Sequence, residues 1–370
     1  MESVFEGVAL AAGAILVVLI LRDAFEVIVL PRRLSGRVRI SRGYYKATWW
    51  PIRRATMALK SPGRRETILS YYGPLWMITL IGLWAGLMIL AFGMVHWGLG
   101  SSEVLARGKP GFWNDIYISG TTLFTLGMGD VYPSTPIARL VAVMEAGIGL
   151  GFLALVIGYL PVLYGSFSRR EVFISLFDSR AGSPPTASEF LRRYARNPDP
   201  QPLRATLLEF ERWTAEILES HLSYPVLAWY RSQHERQSWL AAITVILDVS
   251  AILLAMPDPR FAGESRVAFA MARHTIIDLA ETFSAGRAPW HERLPDADFE
   301  RLYAVLEASN YPLPEHGAFR RSLDDLRGSY EQHVADIGAH LILQVPGWLP
   351  EAGATDDWQT GLTQMHQALP

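Results

Sequence analysis

The stretch from Thr121 to Pro136 reads TTLFTLGMGDVYPSTP. Thr125, Gly127 and Gly129 alternate with Leu126 and Met128, and Asp130 closes the run. None of these side chains forms a nucleophile–base set, so the chemistry on offer is that of the main chain. Glycines at alternate positions permit torsions that other residues resist. Successive carbonyls can then turn to one side and line a pore, replacing the water around a cation with backbone oxygens.

A loop of this kind needs apolar helices to hold it. The 370 residues are 50% hydrophobic and 19% charged, too apolar for an ordinary soluble chain of this length. Net charge of -2 speaks against a nucleic-acid partner. Without cysteine there are no disulfides or thiolate metal sites. The start, MESVFEGV, is acidic and lacks the basic lead of a cleavable signal peptide.

Three runs suit a membrane-spanning helix. Gly7 to Leu30 is apolar until Arg22, Asp23 and Glu26, and Arg22 and Glu26 can pair four residues apart. Leu75 to Trp97 is uncharged, with tryptophans near both ends. In Leu140 to Gly165, Glu145 is the one ionisable group besides two tyrosines. Between the first two runs lie Arg32, Arg33, Arg37, Arg39, Arg42, Lys46, Arg53, Arg54, Lys60, Arg64 and Arg65, and no acid occurs from Val27 to Arg65. The positive-inside rule places this stretch in the cytoplasm, the N-terminus and 98–136 outside, and the chain after Gly165 inside. The same basic residues could bind anionic lipid heads.

GFWNDIYISGTTLFTLGMGDVYP fills the space between the second and third runs. Trp113 to Phe124 could form a short helix, with Asn114 or Asp115 near its start. TTLFTLGMGDVYP resembles the TTxTTVGYGDxxP signature of potassium channels, and STPIARLVAVMEAGIGLG is similar to the inner helix that follows the filter in simple bacterial members. The resemblance covers about Leu75 to Phe167. It implies a homotetramer in the lipid bilayer, because one chain carries one loop, with potassium ions in the filter and no other cofactor. It also implies that Thr125 supplies a hydroxyl and a carbonyl at the inner mouth. Leu126, Gly127 and Met128 would supply further carbonyl rings, Gly129 the outer turn, and Asp130 an anchor behind the filter or near its outer mouth. Two positions depart from the pattern: Leu126 stands for valine, and Met128 for an aromatic residue that braces the filter. Methionine keeps the carbonyl but loses the ring's stiffness, which opens a non-selective monovalent cation channel as the alternative to potassium selectivity.

In the third run Gly149 matches the family's hinge glycine, although small residues also serve close helix packing. Pro161 removes a helix hydrogen bond lower down and marks a candidate gate at Pro161 to Tyr164. Glu145 is costly at that depth and marks function. It either sits behind the filter, bonded to the pore helix, or faces the cavity. The first run is not a voltage sensor, since Arg22 is its one arginine.

After the turn at Ser183–Ala187 the pattern is helical. Helices are expected at Leu203–Leu222, Ser238–Met256, Arg260–Phe283, Asp296–Ala308 and Phe319–Leu343. Ser238–Met256 is nearly all apolar, with Asp248 at its middle, and reads as the buried centre of a bundle or as a fourth span. Two sets, His333, Asp336 and His340, and His274, Asp278 and Glu281, share helix faces that could hold a divalent metal. Solvated or hydrogen-bonded faces are the commoner outcome, as they are for Glu209, Glu216, Glu219 and His221. The segment HLSYPVLAWYR (221–231) could dock on the pore or on a neighbouring subunit.

The expectation is an all-α membrane protein, not an enzyme. It has an N-terminal helix (1–31), a basic cytoplasmic linker (32–70), a tetrameric potassium-channel-like pore module (71–168) and an all-helical cytoplasmic regulatory domain (169–370) open to an unknown ligand or protein. Within the module the outer helix is 75–97, the pore helix 113–124, the filter 125–130 and the inner helix 137–167. A receptor or scaffold with a non-conducting pore is the rival from another class.

Overall fold

The computed structural model describes residues 2–30, 39–100, 102–104, 111–233, 237–283 and 286–351. Arg32, Arg33 and Arg37 of the basic stretch, and the chain beyond 351, lie outside the described residues. The fold is all-α apart from one two-strand ribbon. The chain forms two compact units. One takes Met1–Lys60 and Tyr71–Gly165, the other Ser61–Ser70 and Ser166–Pro370.

In the first unit, α1 (Glu2–Ile28), α3 (Pro62–Leu99) and α5 (Pro136–Ala181) are each long and apolar enough to cross a membrane. Both α3 and α5 outrun the expected spans. Pro74 lies inside α3, and α5 continues through Pro161. The 32–70 stretch is not merely a linker. It holds α2 (Ile40–Met57) and the first turns of α3. Its basic residues hide an amphipathic pattern, with Ser41, Trp49 and Thr56 on the buried side.

Asp23 on α1 explains where α2 begins. It accepts hydrogen bonds from the Ser41 N–H (3.0 Å), the Ser41 hydroxyl (3.0 Å) and the Trp84 indole of α3 (2.9 Å). The N-cap residue, Arg39, offers no side-chain cap, so an acid from another helix satisfies a free amide of the first turn. One turn on, Glu26 pairs with Arg22 (2.8 Å), as expected, and with Arg39 (3.3 Å). Ile20, Ala24, Leu80, Trp84, Met88 and Phe92 make the apolar core around these groups.

The short helix α4 (Phe112–Leu123) precedes the glycine loop. Its N-cap is Gly111, and Asp115 sits near the start as expected, buried in the first turn. The strands Ser102–Val104 and Val131–Pro133 run antiparallel, with Glu103 opposite Tyr132.

The second unit is a helical bundle of α6 (Ala187–Tyr194), α7 (Gln201–Ser223), α8 (Trp239–Ala255), α9 (Pro259–Thr282), α10 (Asp296–Ala308), α11 (His316–Gly328) and α12 (Glu331–Leu341). It also includes the end of α5. The apolar α8 is its buried centre and packs against α6, α7, α9, α11 and α12. Asp248 at its middle is fully buried and paired, not bare. It accepts from Arg293 (2.6 and 3.2 Å) and from the Tyr330 hydroxyl (2.7 Å). Arg293 also meets Glu331 (3.1 Å), which Arg327 contacts at 3.1 Å. That network corrects the expectation of one helix over Phe319–Leu343. The chain breaks at Ser329–Tyr330 between α11 and α12, and Tyr330 reaches Asp248.

Candidate functional site

The loop after α4 folds back on its own helix. The Leu126 and Gly127 amides both donate to the Thr121 carbonyl, at 2.7 and 3.3 Å, and the Thr125 amide donates to the Thr122 carbonyl at 3.0 Å. Thr125, Gly127 and Gly129 have left-handed backbone, with φ of 56°, 56° and 78°, whereas Leu126 and Met128 between them do not. Only glycine enters that region freely, so Thr125 holds it at a cost. Alternation of positive-φ residues with ordinary ones can align successive peptide groups, as in backbone ion-binding concavities. The alternation extends one residue further towards α4 than the two glycines alone announce.

The side chains of this loop make little of the scaffold. Leu126 is 65% and Met128 67% exposed. Asp130 is tied to α4, accepting from the Tyr117 hydroxyl at 3.2 Å.

Behind the loop, Glu145 is fully buried on α5. It accepts from the Ser119 hydroxyl of α4 (2.5 Å), and its second oxygen lies 3.0 Å from His96 Nε2 of α3. Of the two placements open to Glu145, it occupies the one bonded to the short helix. His96 and Ser119 were not singled out from sequence. The available signal was two ionisable groups, His96 and Glu145, each alone near or within a different apolar run. Gly149, two positions from Gly147 on α5, meets the same helix end. A Cβ there would overlap the Leu123 carbonyl, while nothing lies within 4 Å of Gly147 or Gly151. Glycine at 149 thus lets α5 approach the Leu123 end of α4. Pro161 lies within the continuous α5, on its exposed side.

Residues 77–163 match the family described as ion channel. The matched segment contains α4, the glycine loop and most of the apolar parts of α3 and α5, and ion conduction is the activity that it indicates. A curated relative, the uncharacterized membrane protein YdjJ of Bacillus subtilis (strain 168), is 23% identical over 246 residues, which cover 66% of this chain and 71% of that protein. No solved structure matches the chain.

The other sequence candidates lie outside residues 77–163. Among the described residues no group of three or more histidines and acids is arranged to hold a metal. Asp336 accepts from the Ala288 amide and from Gln332, both at 2.7 Å, and the His340 ring lies edge-on to Trp229. His274 stands 3.9 Å from Asp278 at the surface. Glu209, Glu216 and Glu219 engage Arg180, Arg212 and Ser223. His221 is buried, and HLSYPVLAWYR lies within the second unit around a 3₁₀ turn, Pro225–Trp229. Its Leu227 and Tyr230 carbonyls accept from Arg170 (2.9 and 2.7 Å). Arg231 donates to the Leu341 and Ile342 carbonyls and pairs with Glu66 (3.5 Å).

Proposed function

We propose that four copies of the chain form a potassium-selective channel whose filter is the backbone of Thr125, Leu126, Gly127, Met128 and Gly129. The alternating left-handed backbone at 125, 127 and 129 carries this reading. It supports four successive carbonyls turned to one side, replacing the ion's hydration shell so that transport is passive. A fourfold arrangement is supported by α5. Only 11% of its most apolar stretch is buried within the chain, against 44% for α3, so its Leu140, Val143, Leu150, Leu153 and Ile157 await neighbouring copies or lipid. In this reading the C-terminal end of α4 faces the cavity with its negative dipole and favours cations. Gly149 and Pro161 are the bending and narrowing points, and the helical unit gates the pore from the cytoplasmic side of the cell membrane.

A second reading, mixed monovalent conduction, is favoured by Met128. Its side chain is two-thirds exposed on the chain that carries it, and a filter free to flex discriminates less.

Ion flux in liposomes holding the purified chain, with potassium and sodium gradients compared and Gly127→Ala alongside, separates the readings. Potassium-preferring flux that the variant abolishes is expected. Equal fluxes of the two ions select mixed conduction. No flux in protein shown to be tetrameric would mean either a gate held closed by the helical unit or a pore that does not conduct, the latter being the receptor or scaffold reading.

A further inference from the structure

The helix α2 carries two opposite faces. Its buried face is pinned to its neighbours in the first unit. Ser41 bonds Asp23 of α1, Tyr44 stacks on Trp76 of α3 at 6.3 Å, Thr48 bonds the Tyr72 hydroxyl at 3.2 Å, and Trp49 lies 4.8 Å from the Tyr72 ring. The opposite face is open. Arg42, Lys46, Trp50 and Arg54 follow one another at four-residue steps, and all four are exposed. Such steps form one ridge along a helix. The Arg54 guanidinium lies 5.6 Å over the Trp50 ring. No acid occurs on α2 or anywhere from Val27 to Arg65.

We infer that this ridge binds the phosphate headgroups of anionic phospholipids. Three observations select lipid as the occupant. The helix runs between two segments long and apolar enough to cross a bilayer and is fastened to both, which holds it at headgroup depth. Cations flanking an exposed tryptophan suit the interface, where the indole sits between apolar and wet layers. The charge is of one sign, as a surface of lipid phosphates requires. The inference rests on the membrane setting of α1 and α3 and does not depend on conduction. Because the buried face of α2 packs on Tyr72 and Trp76 of α3, which continues into the matched segment, lipid bound on the open face touches a helix fastened to that segment.

The test is lipid retention. The full chain is purified in neutral detergent supplemented with equal amounts of phosphatidylglycerol and phosphatidylcholine of matched acyl length, and bound lipid is extracted and quantified by mass spectrometry. The wild type should retain phosphatidylglycerol by about tenfold over phosphatidylcholine at low salt, because each surface cation adds to the attraction. The preference should shrink in 0.5 M salt. The combined variant Arg42→Gln, Lys46→Gln, Arg54→Gln should lose it, while Arg42→Lys with Arg54→Lys keeps it. A wild type without preference, a preference indifferent to salt, or one unchanged in the neutralised variant would overturn the inference. So would displacement of the lipid by soluble glycerol phosphate at equal concentration, which would mark a free-phosphate site. A neutralised variant that changes its subunit number while keeping the preference would assign the ridge to a neighbouring copy instead.

Discussion

Glu145 of α5 and Ser119 of α4 share a hydrogen bond of 2.5 Å behind the glycine loop. The same carboxylate meets His96 of α3 at 3.0 Å, so one buried acid joins the helices that precede and follow the loop. Both carboxylate oxygens of Glu145 are engaged, one by Ser119 and one by His96 Nε2, although the buried Nδ1 of His96 has no partner; moving α4 away would strand the acid as well. The loop itself has few side-chain supports, only Asp130 with Tyr117 among its described hydrogen bonds. Its conformation therefore depends on where α4 is held, and Glu145 holds α4.

Replacing Glu145 separates that role from a simple charge. Glu145→Leu leaves the Ser119 hydroxyl and the His96 ring unpaired, each costing about 1–3 kcal/mol. Glu145→Gln keeps a carbonyl acceptor for Ser119. The leucine variant should lower the unfolding midpoint in detergent by several degrees and abolish flux, with glutamine between it and wild type. Equal behaviour of the two variants would show that the negative charge, not the bonding, is what the site requires.

Gly149 offers a test of packing against bending. Gly149→Ala forces a methyl group into the Leu123 carbonyl, whereas Gly147→Ala and Gly151→Ala meet nothing within 4 Å in the chain. Overpacking of this kind costs about 1–3 kcal/mol. Alanine at 149 should reduce the yield of folded protein, and alanine at 147 or 151 should not. If the 149 variant is as stable as wild type yet changes open probability, Gly149 acts as a hinge.

The three apolar runs and the glycine loop were legible because each is a contiguous signal: an uncharged stretch, or glycines at alternate positions. Four of the bundle helices after Gly165, α7 to α10, were legible from apolar periodicity, with bounds within two residues of expectation, whereas the short α6 was not expected. What stayed hidden depends on distant pairs. The cap of α2 by Asp23 joins residues 18 apart, and Tyr330 with Asp248 joins residues 82 apart. The second pairing splits the helix expected over Phe319–Leu343, because Tyr330 leaves the helical track to reach its acid. Helix α2 was missed because its charges masked one buried face, and the left-handed Thr125 because threonine rarely takes that conformation.

The Asp248 network predicts an asymmetry. Arg293→Met leaves a carboxylate inside α8 with only Tyr330 and should destabilise the second unit by about 3–5 kcal/mol, the usual cost of breaking a buried pair. The double change Asp248→Leu with Arg293→Met removes both charges and should recover part of that loss. Denaturant titration of the purified chain measures both. If the single and double variants are equally unstable, packing at these positions, not the stranded charge, carries the loss.

His221 sets a pH dependence with a defined sign. Its Nδ1 lies 2.9 Å from the Ile217 carbonyl and its Nε2 3.5 Å from Arg170, so the neutral ring donates at Nδ1 and accepts from Arg170 at Nε2. Burial first, and the Arg170 charge second, push its pKa down to about 3. In the unfolded chain the ring returns to an ordinary value of about 6.5. Between those values the unfolded state binds one more proton, so stability is full above about pH 6.5 and falls as pH drops, by up to ~1.4 kcal/mol per pH unit. Thermal unfolding of the full chain should show a midpoint that declines from pH 7 to pH 5. His221→Gln, which can still donate to Ile217 but does not titrate, should flatten that decline while lowering the midpoint at pH 7 only modestly. A decline of the same slope in the variant would assign the pH dependence to other groups.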